Sequence, residues 1–331
     1  MTRYGLAIPF SNPMPLTDQL KLAREAEARG YHTAWINEVS GSDAVTTMAL
    51  LATHTERLSI VSGIIPVQTR TPVVLGMTAA SLGSLAPGRI GLGLGVSSRI
   101  IIGQWHGLPF EKPLGRLREA VAIIRRVVAG ERVSFEGTFY RLKNFRLTIP
   151  PPSGPIPIYL AALGPRMLEL AGEIADGVVL NFIPPEAIPN SIERLEIGAR
   201  RAGRSLDGFE IAGFIRVAVT DDGEAARQWL ARELAGYSTV DAYIRFFTEC
   251  GFADEVEAVN RCWQAGDRAG AVRAISPRFL DGMGIVGPAD LCRQRIKDFA
   301  NAGLTQPVVF PFTPDPQPLP SLLRTVEAFP G

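Results

Sequence analysis

The sequence predicts an α/β fold, a (β/α)8 barrel of the TIM type with a hairpin insertion and a helical insertion between strands seven and eight. Three observations lead there. Short apolar runs alternate with amphipathic helical patterns from one end of the chain to the other, as in βα units on a parallel sheet. Eight such runs can be read. A chain of 331 residues with 46% hydrophobic content then suits eight units with insertions better than a doubly wound sheet.

Strand one is "YGLAIPF" (4–10). The helix after it, "LTDQLKLAREAEARG", sets Leu16, Leu20, Ala23 and Ala26 near helical spacing and stops on Gly30. Strand two, "TAWIN" (33–37), leads into "NEVSGSD", where Ser42 or Asp43 caps the helix "AVTTMALLATH". Strand three, "LSIVSGI" (58–64), loses its alternation at Ser62, Gly63 and Ile64. Either Gly63 is a plain bulge, or the backbone is irregular there because something flat lies against it. Strand four, "RIGLGLG" (89–95), carries Gly91, Gly93 and Gly95 with spacing G-x-G-x-G, which is not the dinucleotide fingerprint. Inward glycines are expected to leave room above the barrel for a flat ring, with Ser97 and Ser98 at its rim.

The helix "LGRLREAVAIIRRVVAG" ends on Gly130, and segment 131–155 reads as a hairpin turning at Glu136-Gly137 followed by a Pro-rich connector. Strand five, "IPIYLAAL" (156–163), meets Gly164-Pro165 at a helix start. Unpaired N–H groups there make an anion site of Ala162, Leu163 and Gly164, although Pro165 is also ordinary helix initiation. Strand six, "GVVLNF" (177–182), puts Asn181 and Phe182 at the mouth. Strand seven is "EIAGFIRVAV" (210–219), and 222–287 is a mostly helical, aromatic-rich insertion placed to cover the mouth. Strand eight, "PVVFPF" (307–312), precedes Pro-rich turns and a short helix. The whole chain, 1–331, is expected to form a single domain.

A net charge of +1, from 34 basic and 33 acidic residues, gives no field suited to nucleic acid or an anionic membrane. Cys250, Cys262 and Cys292 form no CxxC pair, so reduced thiols and no metal site are expected. No apolar run reaches the roughly 18 residues of a membrane span, and "MTRYGLAIPF" lacks a signal core, so the expected compartment is cytoplasmic.

Function in such a barrel sits at the C-terminal strand ends. Glu38 follows "AWI" directly and is a candidate general acid, proton relay or hydrogen-bond partner; the alternative is a solvated loop charge. His32 and His54 fall on the opposite face. His106, beside Trp105 in "GQWHGLPF", is the histidine placed above the mouth, as general acid, substrate contact or simple loop residue. No Ser-His-acid spacing, P-loop or metal-ligand cluster is present, which removes support from hydrolysis and phosphoryl transfer.

The stretches "AEARGYHTAWINEV", "LSIVSGIIPVQTRTP" with "LGSLAPGRIGLGLG", "FEKPLGRLREAVAIIRRVVAGERVSFEGTFYRL" and "PIYLAALGPRMLELAGEIADGVVLNFIPP" together resemble the luciferase-like flavin and deazaflavin oxidoreductases. The resemblance is to the coenzyme F420-dependent branch that includes methylenetetrahydromethanopterin reductase. It implies a TIM barrel with an insertion over the mouth, a homodimer, F420 or alternatively FMN as cofactor, and a small-molecule substrate. In that branch strand three ends in a non-prolyl cis peptide whose bulge supports the central ring. The matching bond is Gly63-Ile64, with Ser62 alongside.

By the same resemblance the cofactor phosphate meets Ala162, Leu163 and Gly164, and its ring lies over Gly63 and Ile64 among Glu38, Gly95, Val96, Ser97 and Asn181. Several members have an acid-His pair after strand two, whereas here Glu38 is followed by Val39, so a secondary-alcohol or sugar-phosphate dehydrogenase is not expected. The expected activity is hydride transfer between deazaflavin C5 and a small organic substrate. Glu38 and His106 are the candidate catalytic residues, and Phe10, Trp105, His106, Tyr237, Tyr243 and Phe247 the substrate wall. The alternatives are an FMN-dependent monooxygenase and a non-catalytic flavin-binding protein.

Overall fold

A computed structural model describes residues 3–331. In chain order its elements are β1 (Gly5–Ile8), α1 (Leu16–Ala28), β2 (Thr33–Ile36), α2 (Ala44–His54), β3 (Ser59–Ser62), β4 (Ile65–Pro66), α3 (Pro72–Leu85) and β5 (Ile90–Gly95). Next come α4 (Pro113–Val128), β6 (Val133–Glu136), β7 (Arg141–Phe145), β8 (Ile158–Ala161), α5 (Pro165–Ile174), β9 (Gly177–Asn181), α6 (Ile188–Arg201) and β10 (Glu210–Val219). The last third holds α7 (Glu224–Tyr237), α8 (Asp241–Glu249), α9 (Ala253–Gln264), α10 (Arg268–Arg273), α11 (Pro277–Met283), β11 (Gly284–Gly287), α12 (Ala289–Asn301), β12 (Gln306–Pro311) and α13 (Leu319–Glu327).

Eight parallel strands close a ring in the order β1-β2-β3-β5-β8-β9-β10-β12, and β12 returns to β1 with Gly5 opposite Val308. The predicted (β/α)8 barrel is therefore the fold. Alternate residues of the strands fill its interior: Ala7, Trp35, Val61, Tyr159, Val179, Ala212, Phe214, Val308 and Phe310. Trp35 is fully buried, edge-on to Tyr159 at 5.0 Å and to Phe214 at 5.7 Å. The opposite strand faces pack on helices, as with Leu22, Ala23 and Ala26 of α1.

Three strand readings need correction. Strand one stops at Ile8 and strand five at Ala161, short of 10 and 163, since the chain turns outward before the proline in "IPF" and the glycine in "ALGP". Strand three breaks in two: β3 ends at Ser62, the Gly63–Ile64 peptide is cis, and the chain resumes as β4 beside Leu94 and Gly95. Segment 222–287 is helical through α11 but ends in a ninth parallel strand, β11. β10 outruns β9: its first half pairs β9 up to Phe214, and Arg216 to Val219 pair β11. Two apolar residues, Ile285 and Val286, between glycines gave no strand signal alone; the free edge of β10 supplies the partner.

The hairpin β6–β7 turns over residues 137–140, whose N–H groups at Thr138, Phe139 and Tyr140 donate to the Glu119 carboxylate of α4. Val133 packs on Ile123 and Val127 of the same helix. No helix among the described residues is long and apolar enough to cross a membrane.

The floor of the barrel is polar. Gln306 Oε1 accepts from Thr33 Oγ1 at 2.8 Å and from Trp35 Nε1 at 2.9 Å. Close by, Glu210 has a buried Oε1 with no hydrogen-bond partner. Burial raises its pKa, and Arg3 and the Tyr159 hydroxyl only partly oppose that shift. A carboxyl raised on folding is neutral at no cost below its unfolded pKa of about 4.3, and its contribution to stability is lost as pH climbs through the folded value. Glu210→Gln is therefore expected to raise the melting temperature relative to wild type by an amount that grows from pH 4 to pH 8. A pH-independent difference in thermal scans would show that burial does not raise the Glu210 pKa on folding.

Candidate functional site

At the C-terminal ends of the strands the mouth is organised by the break in β3. The Ser62 hydroxyl is sealed from solvent; it donates to the Gly93 carbonyl at 2.8 Å and accepts from the Gly93 N–H at 2.9 Å. Gly63 N–H donates to the Ile36 carbonyl at 2.6 Å. A Cβ on Gly93 would stand 1.9 Å from the Ser62 carbonyl oxygen, and one on Gly95 2.8 Å from Ile64 Cδ1. The glycines thus admit the bulge, and Ile64 fills the room expected for a flat ring. Ser62, Gly63 and Gly95 are buried beneath this arrangement and offer a ligand little surface. What remains exposed to one is the half-buried side chain of Ile64, which packs with Ala161 on the interior cluster; Val96 packs instead on the outer core, and Ser97 stands in a left-handed turn with φ 57°.

Glu38 is not a free acid. Its Oε1 pairs with Arg70, which also holds Asp43, and its Oε2 accepts from the N–H of Ala44 at the start of α2 at 3.2 Å. Asp43 caps the same helix through Thr46 N–H at 2.8 Å, and its pKa is lowered against burial by those Thr46 bonds and by Arg70. The cluster ties the loop after β2 to the loop before α3. Each carboxylate oxygen of Glu38 thus has a partner that holds the loop, a structural role that stands beside its candidacy as a general acid. Arg70, in "QTRTP", was not singled out by sequence because its partner lies 32 residues away.

At the start of α5, the N–H of Ala162 is used on the Val179 carbonyl at 3.3 Å, so Ala162 offers nothing to an anion. Leu163 and Gly164 remain, and a Cβ on Gly164 would meet nothing within 4 Å. Arg166 stands exposed in the first turn of this helix without an ion-pair partner among the described residues, a cation the sequence reading passed over. Leu163 and Pro165 also open onto a cleft of about 840 Å³ between α5, α6 and the insertion helices, walled by Phe246, Cys250, Phe252, Arg194 and Arg278.

On the opposite side, Asn181 is held by two partners. Its Oδ1 accepts from Arg216 Nη1 at 2.8 Å and its Nδ2 donates to Tyr243 Oη at 2.6 Å. Arg216 is 1% exposed, its guanidinium pairs with Glu233 of α7 at 3.0 Å, and the rings of Phe182 and Phe310 lie 4.1 and 3.8 Å from it. Neither Arg216 nor Glu233 was predicted. A lone charge inside "GFIRVAV" was the signal available. Tyr237 and Tyr243 are half-buried and meet edge-on at 4.8 Å, and burial raises the pKa of both hydroxyls. Phe247, fully buried against Phe279 in the insertion core, cannot belong to a substrate wall.

Phe10 lies half-buried against Phe310 and lines a pocket of about 460 Å³ with Asn12, Asn37 and Ser42. Trp105 ends a π-helical turn, Ile100–Trp105, and His106 follows it; both are exposed, Trp105 at 56%. The His106 imidazole hydrogen-bonds no described residue, so the structure does not draw either side chain against Glu38 or Ile64. The described residues hold no group of three or more His, Cys, Asp or Glu placed to bind a metal.

Residues 2–306 match the family described as Luciferase-like monooxygenase. Among curated proteins, a candidate coenzyme F420-dependent oxidoreductase of Mycobacterium tuberculosis is 32% identical over 93% of this chain and 94% of its own length. A 5,10-methylenetetrahydromethanopterin reductase of Archaeoglobus fulgidus is 29% identical over 88% of each chain. Among solved structures, the coenzyme F420-dependent tetrahydromethanopterin reductase of Methanopyrus kandleri superposes with a TM-score of 0.85 at 24% identity, over 99% of this chain and 96% of that one. At that identity the superposition shows a shared fold.

The bulge supplies a test of its own. Ser62→Ala strands the buried N–H and carbonyl of Gly93 and is expected to lower unfolding stability by about 2–4 kcal/mol. Urea denaturation with an unchanged midpoint would mean that the hydroxyl does not hold the break.

Proposed function

We propose, from the premise that this chain belongs to the luciferase-like monooxygenase family and is an oxidoreductase, that it uses coenzyme F420 to move a hydride to or from a small organic substrate. The observation that carries the reading is the platform at the mouth: Ile64, lifted by the bulge over Gly93 and Gly95, presents an apolar surface at the centre of the barrel. The names of the relatives, F420-dependent oxidoreductase and methylenetetrahydromethanopterin reductase, point to the same cofactor. Bound, the deazaflavin would supply the hydride-exchanging carbon, C5.

The residues present fit such a group. Ile64 and Ala161, both half-buried on the interior cluster, offer a wall for a planar ring, and Ser97, two residues past Gly95, adds a hydroxyl. Gly164 leaves open space at the N-terminal end of α5, where backbone N–H groups and Arg166 suit a phosphate. The work left to the protein is positioning and the exclusion of water. FMN, with the same apolar ring and phosphate, is the second reading, since relatives of this fold include monooxygenases.

We read the chain as one domain over residues 1–331, because the closed ring of strands runs from β1 to β12, and as cytoplasmic, because its three cysteines are free. A homodimer is the proposed assembly. Val74, Met77 and Leu85 leave 43–49% of their surface exposed along one side of α3, and a second copy would cover them.

Purified protein titrated with F420 and separately with FMN, followed by tryptophan quenching, is expected to bind F420 in the micromolar range and FMN more weakly. The reverse order would favour the monooxygenase reading. Gly164→Leu should fold normally and weaken cofactor binding at least about tenfold; unchanged affinity would remove the phosphate site from α5. Met77→Glu is expected to convert a dimer to a monomer in light scattering, and a monomeric wild type would end the assembly proposal.

A further inference from the structure

The polarity of one hydroxyl at the mouth is dictated from inside the barrel. A guanidinium can only donate hydrogen bonds. Arg216 gives Nη2 and Nε to Glu233, at 3.0 and 3.4 Å, and Nη1 to Asn181 at 2.8 Å. The atom that Asn181 turns toward Arg216 must therefore be its carbonyl oxygen, and its amide nitrogen faces Tyr243. That nitrogen donates, so the Tyr243 oxygen accepts at 2.6 Å. The phenolic proton is then left to point elsewhere, and no described residue accepts it. Asn181 Nδ2 has a second N–H in the same position.

The surroundings limit what can take these donors. Asn181 ends β9 on the side of the strand that carries the interior Val179, and Tyr243 reaches over it from α8, half-buried. The charge of Arg216 is matched by Glu233, and that of Arg70 by Glu38 and Asp43, so neither cluster draws an anion to this spot. Burial pushes the Tyr243 hydroxyl up to about 12, and it keeps its proton throughout the physiological range.

We propose that Tyr243 is a directed hydrogen-bond donor over the barrel mouth, aligned by Arg216 through Asn181, and that it selects a substrate carrying a neutral acceptor there, a carbonyl oxygen or an imine nitrogen. Arg216 and Asn181 are positioning residues in this scheme. The word substrate rests on the oxidoreductase reading above, whereas the direction of the hydroxyl does not.

Tyrosine labelled with 13C at Cζ in the full-length protein reports the hydroxyl without cofactor or substrate, and the Tyr243 resonance is assigned by its loss in Tyr243→Phe. Asn181→Asp preserves the volume and the bond from Arg216 but gives the phenol a carboxylate to donate to. The Tyr243 resonance is expected to shift in Asn181→Asp. Cyclohexanone and methylenecyclohexane, alike in shape but different in acceptor strength, serve as binding probes in NMR titrations. The ratio of ketone to alkene affinity is expected to fall about fivefold in both Tyr243→Phe and Asn181→Asp, the worth of one neutral hydrogen bond. A Tyr243 resonance that stays in place in Asn181→Asp, or a ratio that survives both substitutions, would overturn the proposal. Titration of the same proteins with F420 separates the two readings: failure of wild type to bind F420 ends the cofactor assignment and leaves the resonance and the ratio to decide this one.

Discussion

Between β3 and β5 the backbone ladder is interrupted at the level of Gly93, and the Ser62 side chain closes the gap with one hydrogen bond in each direction. Everything distinctive about the mouth depends on that substitution of side chain for backbone. A buried N–H or carbonyl left unpaired costs about 1–3 kcal/mol, so the strand can leave the ladder here only if another group takes over both roles. A hydroxyl does so within a single residue. The glycines of β5 complete the condition, because a Cβ at Gly93 would collide with the Ser62 carbonyl. Serine, glycine and bulge form one device, and its product is the placement of Ile64.

A second constraint acts on the other side of the mouth. Arg216 is a full charge inside the barrel, and removing one member of such a pair typically costs about 3–5 kcal/mol because the other is stranded. Glu233 of α7 neutralises it, and two aromatic rings cover its faces. Through Asn181 the same guanidinium reaches Tyr243 of α8. The insertion is thus not an appendage laid over the barrel: two of its helices are tied to β9 and β10 by a single side chain.

These features divide what the sequence could say from what it could not. Alternation and apolar runs locate the eight barrel strands, since inward and outward faces are both buried and leave a local pattern. They place the ends of those strands only to within a residue or two, as strands one and five show, which still marks the neighbourhood of the mouth. The role of each residue there depends on partners distant in sequence: Ser62 on Gly93, Glu38 on Arg70, Asn181 on Tyr243 across 62 residues. Gly93 shows the difficulty well. A glycine facing inward signals close approach, but the sequence does not say whether a ligand or another strand approaches, and here it is the neighbouring strand. β11 was hidden for a related reason, since its four residues become a strand only where β10 has outrun its neighbour.

The charges of the mouth follow from the same pairings. Arg70 is held by two carboxylates, Glu38 and Asp43, on one side and Arg216 by Glu233 on the other, so neither cluster leaves a free cation at the rim over Ile64. The exposed Arg166 and the open N-terminal end of α5 put positive potential near Gly164, at the edge of the cleft. A molecule with a flat neutral head and an anionic tail would be oriented by this layout before any close contact formed. Its tail is drawn to the helix end, and its head is left to the apolar platform, where an anion would lose its hydration without a free cation to replace it. Orientation of this kind holds a reacting carbon at the barrel axis and makes the direction of a hydroxyl such as that of Tyr243 matter, because only a fixed ligand can be discriminated by a fixed donor.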